Sequence, residues 1–172
     1  MTEHPRRIDR VLSEGFLAGI EDQSVDELHA MEREALEVET EISYVRRLAQ
    51  GRIDILEAER DRRAAGGSLG DLIAALPKIL ADEGGHTSQA GTRAQPVLAP
   101  SGSIEFDRGL ERLVSDATLV NLPTLSDAEL QATLGQLREL EKDLSVRRRA
   151  LHGVIDSLAH AVAERLAANA PG

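Results

Sequence analysis

The chain contains one sequence pattern twice, and this duplication limits the folds that it can adopt. The match begins at Ser24 and Ser126, an offset of 102 positions, and continues without a gap to Leu56 and Leu158. Self-similarity of this kind marks a repeated structural unit, here of about fifty residues. The same supersecondary element is therefore predicted to appear twice.

Each copy begins with a helix start signal and continues with a heptad pattern. The sequences SVDE (24–27) and SDAE (126–129) are capping boxes. In this motif the Ser side chain caps the start of the helix, and the Glu side chain accepts a hydrogen bond from the backbone N–H of the Ser. Apolar residues then recur at the a and d positions, which favours a coiled coil, although two helices of a bundle give the same periodicity. Arg52 and Arg147 each interrupt the pattern at one d position. The seam positions are Leu28, Met31, Ala35, Val38, Ile42, Val45, Ala49 and Leu56 in the first helix and Leu130, Leu137, Leu140, Leu144, Leu151, Val154 and Leu158 in the second.

Composition agrees with a helical protein. Apolar residues make up 41% of the 172 residues, but aromatic residues only 2%, with one Tyr and no Trp. A β-sandwich or barrel usually needs more aromatic and β-branched side chains, whereas Leu, Ala, Glu and Arg favour helices. We predict an all-α fold with two long helices in a coiled coil and short flanking helices.

Charge and residue types exclude several classes of function. The net charge of −10 argues against a general nucleic-acid binder, which needs a broad basic face. The chain has no Cys, and its five His show no metal-ligand spacing, so no metal site is predicted. No apolar run approaches the roughly 18 residues of a membrane span, and the N-terminal sequence does not resemble a secretory signal. A soluble cytoplasmic protein is expected.

The chain divides into three predicted parts. Residues 1–65 form the first helical unit with its long helix, residues 66–103 a short helix and a flexible linker, and residues 104–172 the second helical unit. Gly66 and Gly67 are expected to end the first long helix.

Three short segments are amphipathic, at 5–20, 71–82 and 104–122, and Pro77 lies in the second of them. They could cover the ends of the coiled coil or bind a partner. The linker is placed at 83–103, which is rich in Gly, Ser, Pro and Thr.

A polar stripe recurs beside the apolar seam of both long helices. At about 100° per residue its five positions fall within roughly 80° of one helix face. Exposed positions usually change at little cost, so a stripe that keeps four of five residues between copies indicates a binding function. The alternative is a remnant of duplication, stabilised by pairs such as Glu39 with Ser43. The stripe comprises Glu39, Ser43, Arg46, Gln50 and Asp54 in the first copy and Glu141, Ser145, Arg148, His152 and Asp156 in the second.

The stripe has the donors and acceptors that a guanine nucleotide requires. An arginine can donate to the O6/N7 edge of guanine, and a carboxylate can accept from its N1–H and N2–H₂ groups. Residues 44–53 and 144–155 each carry a net charge of +3 within an acidic chain, which suits phosphates. Three arginines beside the stripe are candidates for further phosphate contacts: Arg47, Arg147 and Arg149.

The pattern E-x₃-S-x₂-R-x₃-Q-x₃-D, once per helix of a coiled coil, resembles the signature of the RsiG family of actinobacterial anti-sigma factors. The first copy matches at all five positions and the second at four, with His152 in place of Gln. The resemblance implies that two cyclic di-GMP molecules, partly intercalated in each other, lie on the coiled coil. It also implies that the loaded protein sequesters a sigma factor of the WhiG type and so represses transcription and developmental progression such as sporulation.

Ligand chemistry suggests a role for each residue type in such a site. We assign the aspartates to the Watson–Crick edge of guanine and the arginines to the O6/N7 edge or to base stacking. The Ser, Gln and His side chains would bind phosphate or ribose, and the glutamates would read a second guanine edge or hold an arginine. Because cyclic di-GMP is two-fold symmetric, an antiparallel helix pair is favoured.

Two other functions remain open from the sequence. One is a helical scaffold or adaptor whose polar stripe is structural. The other is an enzyme that acts on the cyclic dinucleotide, but Ser, His and Asp occur together only within the stripe, where neither a buried cleft nor an oxyanion hole is expected. We therefore predict a protein that is not an enzyme and that binds neither nucleic acid nor a membrane.

Overall fold

The described residues form an all-α structure. The computed structural model describes residues 6–82 and 121–169, and these ranges contain no strand. Two long helices pack against each other, which confirms the predicted fold class. The predicted linker at 83–103 and the segment 104–117 lie outside the described residues. The elements are α1 (Arg7–Val11), α2 (Val25–Ala65), α3 (Leu69–Asp82) and α4 (Asp127–Ala168), with short 3₁₀ turns at Ile20–Asp22 and Leu122–Thr124.

The two predicted capping boxes start the two long helices. The Ser24 N–H donates to Glu27 Oε2 at 2.8 Å, and the Glu27 N–H donates to Ser24 Oγ at 3.3 Å. Ser126 and Glu129 make the same two hydrogen bonds at the same distances. The 3₁₀ turns that precede the two boxes also correspond at the offset of the repeat, so the duplication extends to local structure.

A third capping box starts α3 earlier than its apolar residues suggest. The Ser68 N–H donates to Asp71 Oδ2 at 2.7 Å, and the Asp71 N–H donates back to Ser68 Oγ. The helix therefore begins at Leu69 and not at residue 71, and it continues through Pro77.

The first long helix ends where its glycines predict. Gly66 has a φ of 68°, the left-handed conformation that glycine adopts at little cost. The Gly67 N–H donates to the carbonyl of Arg62 at 3.0 Å, and the Gly66 N–H to that of Arg63 at 3.1 Å. These two bonds satisfy carbonyls that the end of a helix leaves without intrahelical donors.

The chain forms two compact units, each with a part of both long helices. The first unit contains Met1–Ser43 and Ser145–Gly172, and the second contains Tyr44–Leu144. The three parts predicted from the sequence are consecutive segments of the chain, whereas each compact unit combines segments that are far apart in the sequence. The three-part division stays a prediction.

The helix segments run antiparallel within each unit. In the second unit, Arg46 pairs with Glu141, whereas Arg63, farther along α2, pairs with Asp127 at the start of α4. In the first unit, Arg165 near the end of α4 donates to the carbonyl of Glu21, which precedes α2. The antiparallel pairing that the ligand argument favoured is thus the observed one.

The predicted apolar seam is the core of the helix pair. In α2 seven of the eight predicted apolar positions are buried, and the eighth, Met31, is half-buried. In α4 the exception is Val154, which is also half-buried. Arg52 is buried at its seam position and donates from Nη1 to the Leu48 carbonyl at 3.2 Å.

A hydrophobic cluster in the second unit is wider than the seam. Leu134 is completely buried there, although it lies outside the predicted a and d positions. A long helix that packs against further elements besides its helical partner needs a broader apolar face than the a and d positions provide. Here α3 contributes Leu72 to the cluster, and the second 3₁₀ turn contributes Leu122. The buried members of the cluster are Ile55, Leu56, Leu72, Leu122, Leu130, Leu134 and Leu137.

A buried carboxylate connects three parts of the second unit. Glu59 lies at a d position with none of its surface exposed, and it accepts hydrogen bonds from Nε of Arg62 and Nε of Arg63, each at 2.6 Å. Arg62 also binds the Gly67 carbonyl, and Arg63 binds the carbonyl of Leu122 at 3.1 Å. Glu59 thereby orients the two arginines that fasten the end of α2 to the following turn and to the segment before α4.

The hydrogen bonds from Arg62 lower the pKa of Glu59 to about 2, more than burial raises it, and those from Arg63 add to the effect. We expect Glu59→Gln to lower the free energy of unfolding by about 2 kcal/mol at pH 7. The contribution is complete above the unfolded-state pKa and is lost as the pH falls toward 2, so the difference between wild type and variant should shrink below about pH 4. Urea unfolding followed by circular dichroism at pH 7 and at pH 3 measures both effects.

Glu57→Gln is the matched control, because Glu57 pairs with Arg138 at the surface. This substitution should lower the free energy of unfolding by less than about 1 kcal/mol. Equal losses for the two variants at pH 7 would contradict the role given to Glu59.

Candidate functional site

The polar stripe is distributed over both units. Each unit receives part of the α2 copy and part of the α4 copy of the motif. The first unit contains Glu39, Ser43, Ser145, Arg148, His152 and Asp156. The second unit contains Arg46, Gln50, Asp54 and Glu141.

One carboxylate organises the motif residues of the first unit. Glu39 Oε1 accepts a hydrogen bond from Ser43 Oγ at 2.6 Å and one from Arg148 Nε at 2.9 Å. His152 Nε2 lies 3.2 Å from the same oxygen, and Arg148 Nε is also 2.9 Å from Ser43 Oγ. Four of the predicted residues, two from each helix, therefore form one hydrogen-bonded cluster, which we call the Glu39 cluster.

The cluster keeps its carboxylate charged. Burial raises the pKa of Glu39, but the hydrogen bonds from Ser43, Arg148 and His152 together hold it below its usual range. A charged Glu39 fixes the position of the Arg148 guanidinium, because an ion pair with a second hydrogen bond to Ser43 restricts its rotamers.

The second unit repeats the contact between arginine and glutamate. Arg46 Nη1 lies 3.3 Å from Glu141 Oε1, and both side chains are largely buried. Arg46 Nε is buried too and has no hydrogen-bond acceptor within the described ranges 6–82 and 121–169. A buried donor without an acceptor costs about 1–3 kcal/mol, so an acceptor supplied from outside would be favourable here.

The two contacts are the same contact made twice. At the offset of the repeat Arg46 corresponds to Arg148, and Glu39 corresponds to Glu141. In each unit the motif arginine of one copy pairs with the motif glutamate of the other copy. The structure thus brings together residues that the sequence places about a hundred positions apart.

The other motif residues line the same helix segments. Gln50, Asp54 and Ser145 are half-buried, whereas His152 and Asp156 are exposed. An exposed or half-buried polar group can still exchange water for a ligand. The roles predicted for these side chains toward a nucleotide stay predictions.

The three additional arginines differ in their surroundings. Arg47 and Arg149, which correspond to each other in the repeat, are exposed. Arg147 is half-buried, and its Nη1 lies 3.6 Å from Asp9 Oδ1 of α1. Two of the three candidates for phosphate contacts therefore remain accessible, and the third also holds α1.

The sequence did not reveal that α1 binds the acidic side of α2. Arg7 donates to Glu37 at 2.7 Å and to Glu41 at 3.2 Å, and Arg10 pairs with Glu34. The spacing of these glutamates puts them on one helix face, which was the available signal.

Neither a metal-binding cluster nor a membrane-spanning helix occurs among the described residues. Within 6–82 and 121–169 there is no group of three or more His, Asp or Glu side chains that could hold a metal ion. In the same ranges none of the helices is both long and apolar enough to cross a membrane.

The fold and the motif together define a class of protein, an all-α chain whose antiparallel long helices carry a duplicated polar motif. The family model described as RsiG-like matches residues 14–80 and 116–171, ranges that include all ten motif positions. The chain therefore belongs to the RsiG-like family, which is a family of anti-sigma factors and not of enzymes. A comparison with curated proteins found no match.

A double-mutant cycle can measure the two arginine–glutamate pairs. We expect a coupling energy of about 1 kcal/mol between Glu39 and Arg148, whose hydrogen bond is short and lies in the Glu39 cluster. The longer contact between Arg46 and Glu141 should give about half of that value. Urea unfolding of the alanine single and double variants supplies both energies, and a larger coupling in the Arg46 pair would contradict the geometry.

Proposed function

We propose that this protein is an anti-sigma factor that binds two molecules of cyclic di-GMP on its long helices. So loaded, it sequesters a sigma factor of the WhiG type in the cytoplasm and represses transcription. The observation that carries the proposal is the recurrence of the five-residue motif, at identical spacing, on both long helices of a chain that belongs to the RsiG-like family.

The Glu39 cluster supports a guanine or phosphate contact by Arg148. Arg148 donates to Glu39 and to Ser43 from its Nε atom. A guanidinium has five N–H donors in a planar fork, so the Nη groups can still bind the O6/N7 edge of guanine or a phosphate. Fixing the fork before the ligand arrives lowers the entropy that binding would cost.

The second unit supports the same chemistry through Arg46. The buried Nε of Arg46 lacks an acceptor within the described ranges, and Gln50 and Asp54 lie half-buried one and two helical turns farther along α2. Asp54 would accept from the N1–H and N2–H₂ groups of a guanine, as Asp156 would in the first unit.

Charge distribution supports a specific anionic ligand. Each motif lies among three arginines, in a chain whose net charge is −10. The overall field repels anions, so a dinucleotide would bind through local contacts to the arginines and not through a diffuse basic surface. The acidic remainder of the surface suits a partner with basic DNA-binding surfaces, as a sigma factor has.

A scaffold function is the second candidate, and one observation favours it. The Glu39 cluster is already hydrogen-bonded within the protein, so its polar residues could be explained by structure alone. The two functions make opposite predictions about ligand binding.

Calorimetry with cyclic di-GMP tests the proposal. We expect two molecules bound per chain, no comparable binding of linear pGpG, and a loss of at least 100-fold in affinity for Arg148→Ala and Arg46→Ala. At a ligand concentration of 100 times Kd, each bound molecule should also stabilise the fold by about 2.7 kcal/mol, which a thermal shift detects.

Arg33→Ala is the matched control, because it removes the same charge from an exposed position of α2 away from the stripe. It should bind as the wild type does. Absence of binding by folded wild-type protein would favour the scaffold, and slow breakdown of the ligand would indicate an enzyme.

Co-purification with a WhiG-type sigma factor tests the second half of the proposal. A tagged chain should retain the sigma factor when cyclic di-GMP is present and release it when the dinucleotide is removed. Arg148→Ala should fail to retain it under both conditions. Equal retention with and without the dinucleotide would show that the ligand does not control the partner.

A further inference from the structure

The two motif copies differ at one position, and the structure shows what that position contacts. Gln50 of the first copy corresponds to His152 of the second. His152 Nε2 lies 3.2 Å from Glu39 Oε1, the oxygen that also accepts the hydrogen bond from Arg148. An imidazole and a guanidinium therefore share one carboxylate oxygen.

The ring of His152 is accessible to solvent. The side chain is 48% exposed. Across from it on α2 is Glu39, and on its own helix Arg148 and Arg149 lie one turn before it and Asp156 one turn after it. The one carboxylate of α1, Asp9, pairs with Arg147.

We propose that His152 is a positioning residue that makes cyclic di-GMP binding dependent on proton uptake at the second motif copy, whereas the first copy, with Gln50 at the equivalent position, adds no such dependence. This inference rests on the proposed function. Imidazole is the side chain that changes its charge between about pH 5 and pH 8, and an amide does not.

The direction of the effect follows from the shared oxygen. A neutral imidazole leaves Glu39 to be neutralised by Arg148. A protonated imidazole also offsets the charge of Glu39, so the Nη groups of Arg148 attract a phosphate or a guanine more strongly. Binding of an anionic dinucleotide then favours the protonated ring, and the affinity for the dinucleotide rises as the pH falls.

Calorimetry with cyclic di-GMP at pH 5.5, 6.5 and 8.0 tests this inference. For the wild type we expect cyclic di-GMP to bind about three- to tenfold more tightly at pH 5.5 than at pH 8.0, since one proton changes affinity by at most tenfold per pH unit. His152→Gln should remove this difference and retain binding, because Gln is the residue of the other copy. Titrations in buffers of different ionisation enthalpy should show proton uptake in the wild type and not in His152→Gln.

Two further variants complete the design. Gln50→His should make the dependence of affinity on pH steeper than in the wild type. His160 lies two turns beyond His152 on α4, where it is exposed and pairs with Glu164. His160→Gln should therefore behave as the wild type does. If His152→Gln keeps the wild-type pH dependence, the inference is overturned while the proposed function stands. If the wild type binds at no pH, the proposed function is overturned, and this inference with it.

Discussion

The structure depends on the burial of an apolar seam that is only two residues wide per heptad. Neither long helix has a second apolar face of comparable length, so each one is stable mainly because the other covers it. A seam this narrow leaves the flanking positions half-buried. Seven of the ten residues of the polar stripe lie at such half-buried positions, where ion pairs are less screened by water than at an open surface. The same geometry thus stabilises the fold and raises the strength of the charged contacts beside it.

Duplication combined with antiparallel pairing allows one motif to complement itself. A glutamate near the start of the motif and an arginine at its centre meet their counterparts from the other copy, as Glu39 meets Arg148 and Arg46 meets Glu141. A parallel pair would instead align glutamate with glutamate, which like-charge repulsion disfavours. The motif therefore also favours the helix direction in which its charges are paired.

Local patterns allowed much of the fold to be predicted from the sequence, and long-range pairing explains most of what was missed. The capping boxes, the seam and the end of α2 at Gly66 depend on residues within a few positions of one another. The burial of Leu134 depends on α3 and the second 3₁₀ turn, which no heptad pattern specifies. Glu59 is similar, because its sequence context suggests a surface residue, and only the two arginines that surround it explain its burial. For the candidate site, spacing predicted which residues share a face, but not which arginine would meet which glutamate.

The charged residues within the seam show how far the second unit departs from a simple coiled coil. A buried charge costs several kcal/mol unless hydrogen bonds compensate it, and hydrophobic replacements would often be as stable. Arg52 donates to the Leu48 carbonyl, and Glu59 organises the end of α2 and the approach to α4. Leucine at position 59 could fill the same space but could not hold Arg62 and Arg63 in place. The unit therefore gives up some apolar burial for contacts that define where α2 ends and where the segment before α4 lies. A site built from side chains on two helices requires fixed helix ends of this kind, because the register of the helix pair sets the positions of its hydrogen-bond donors.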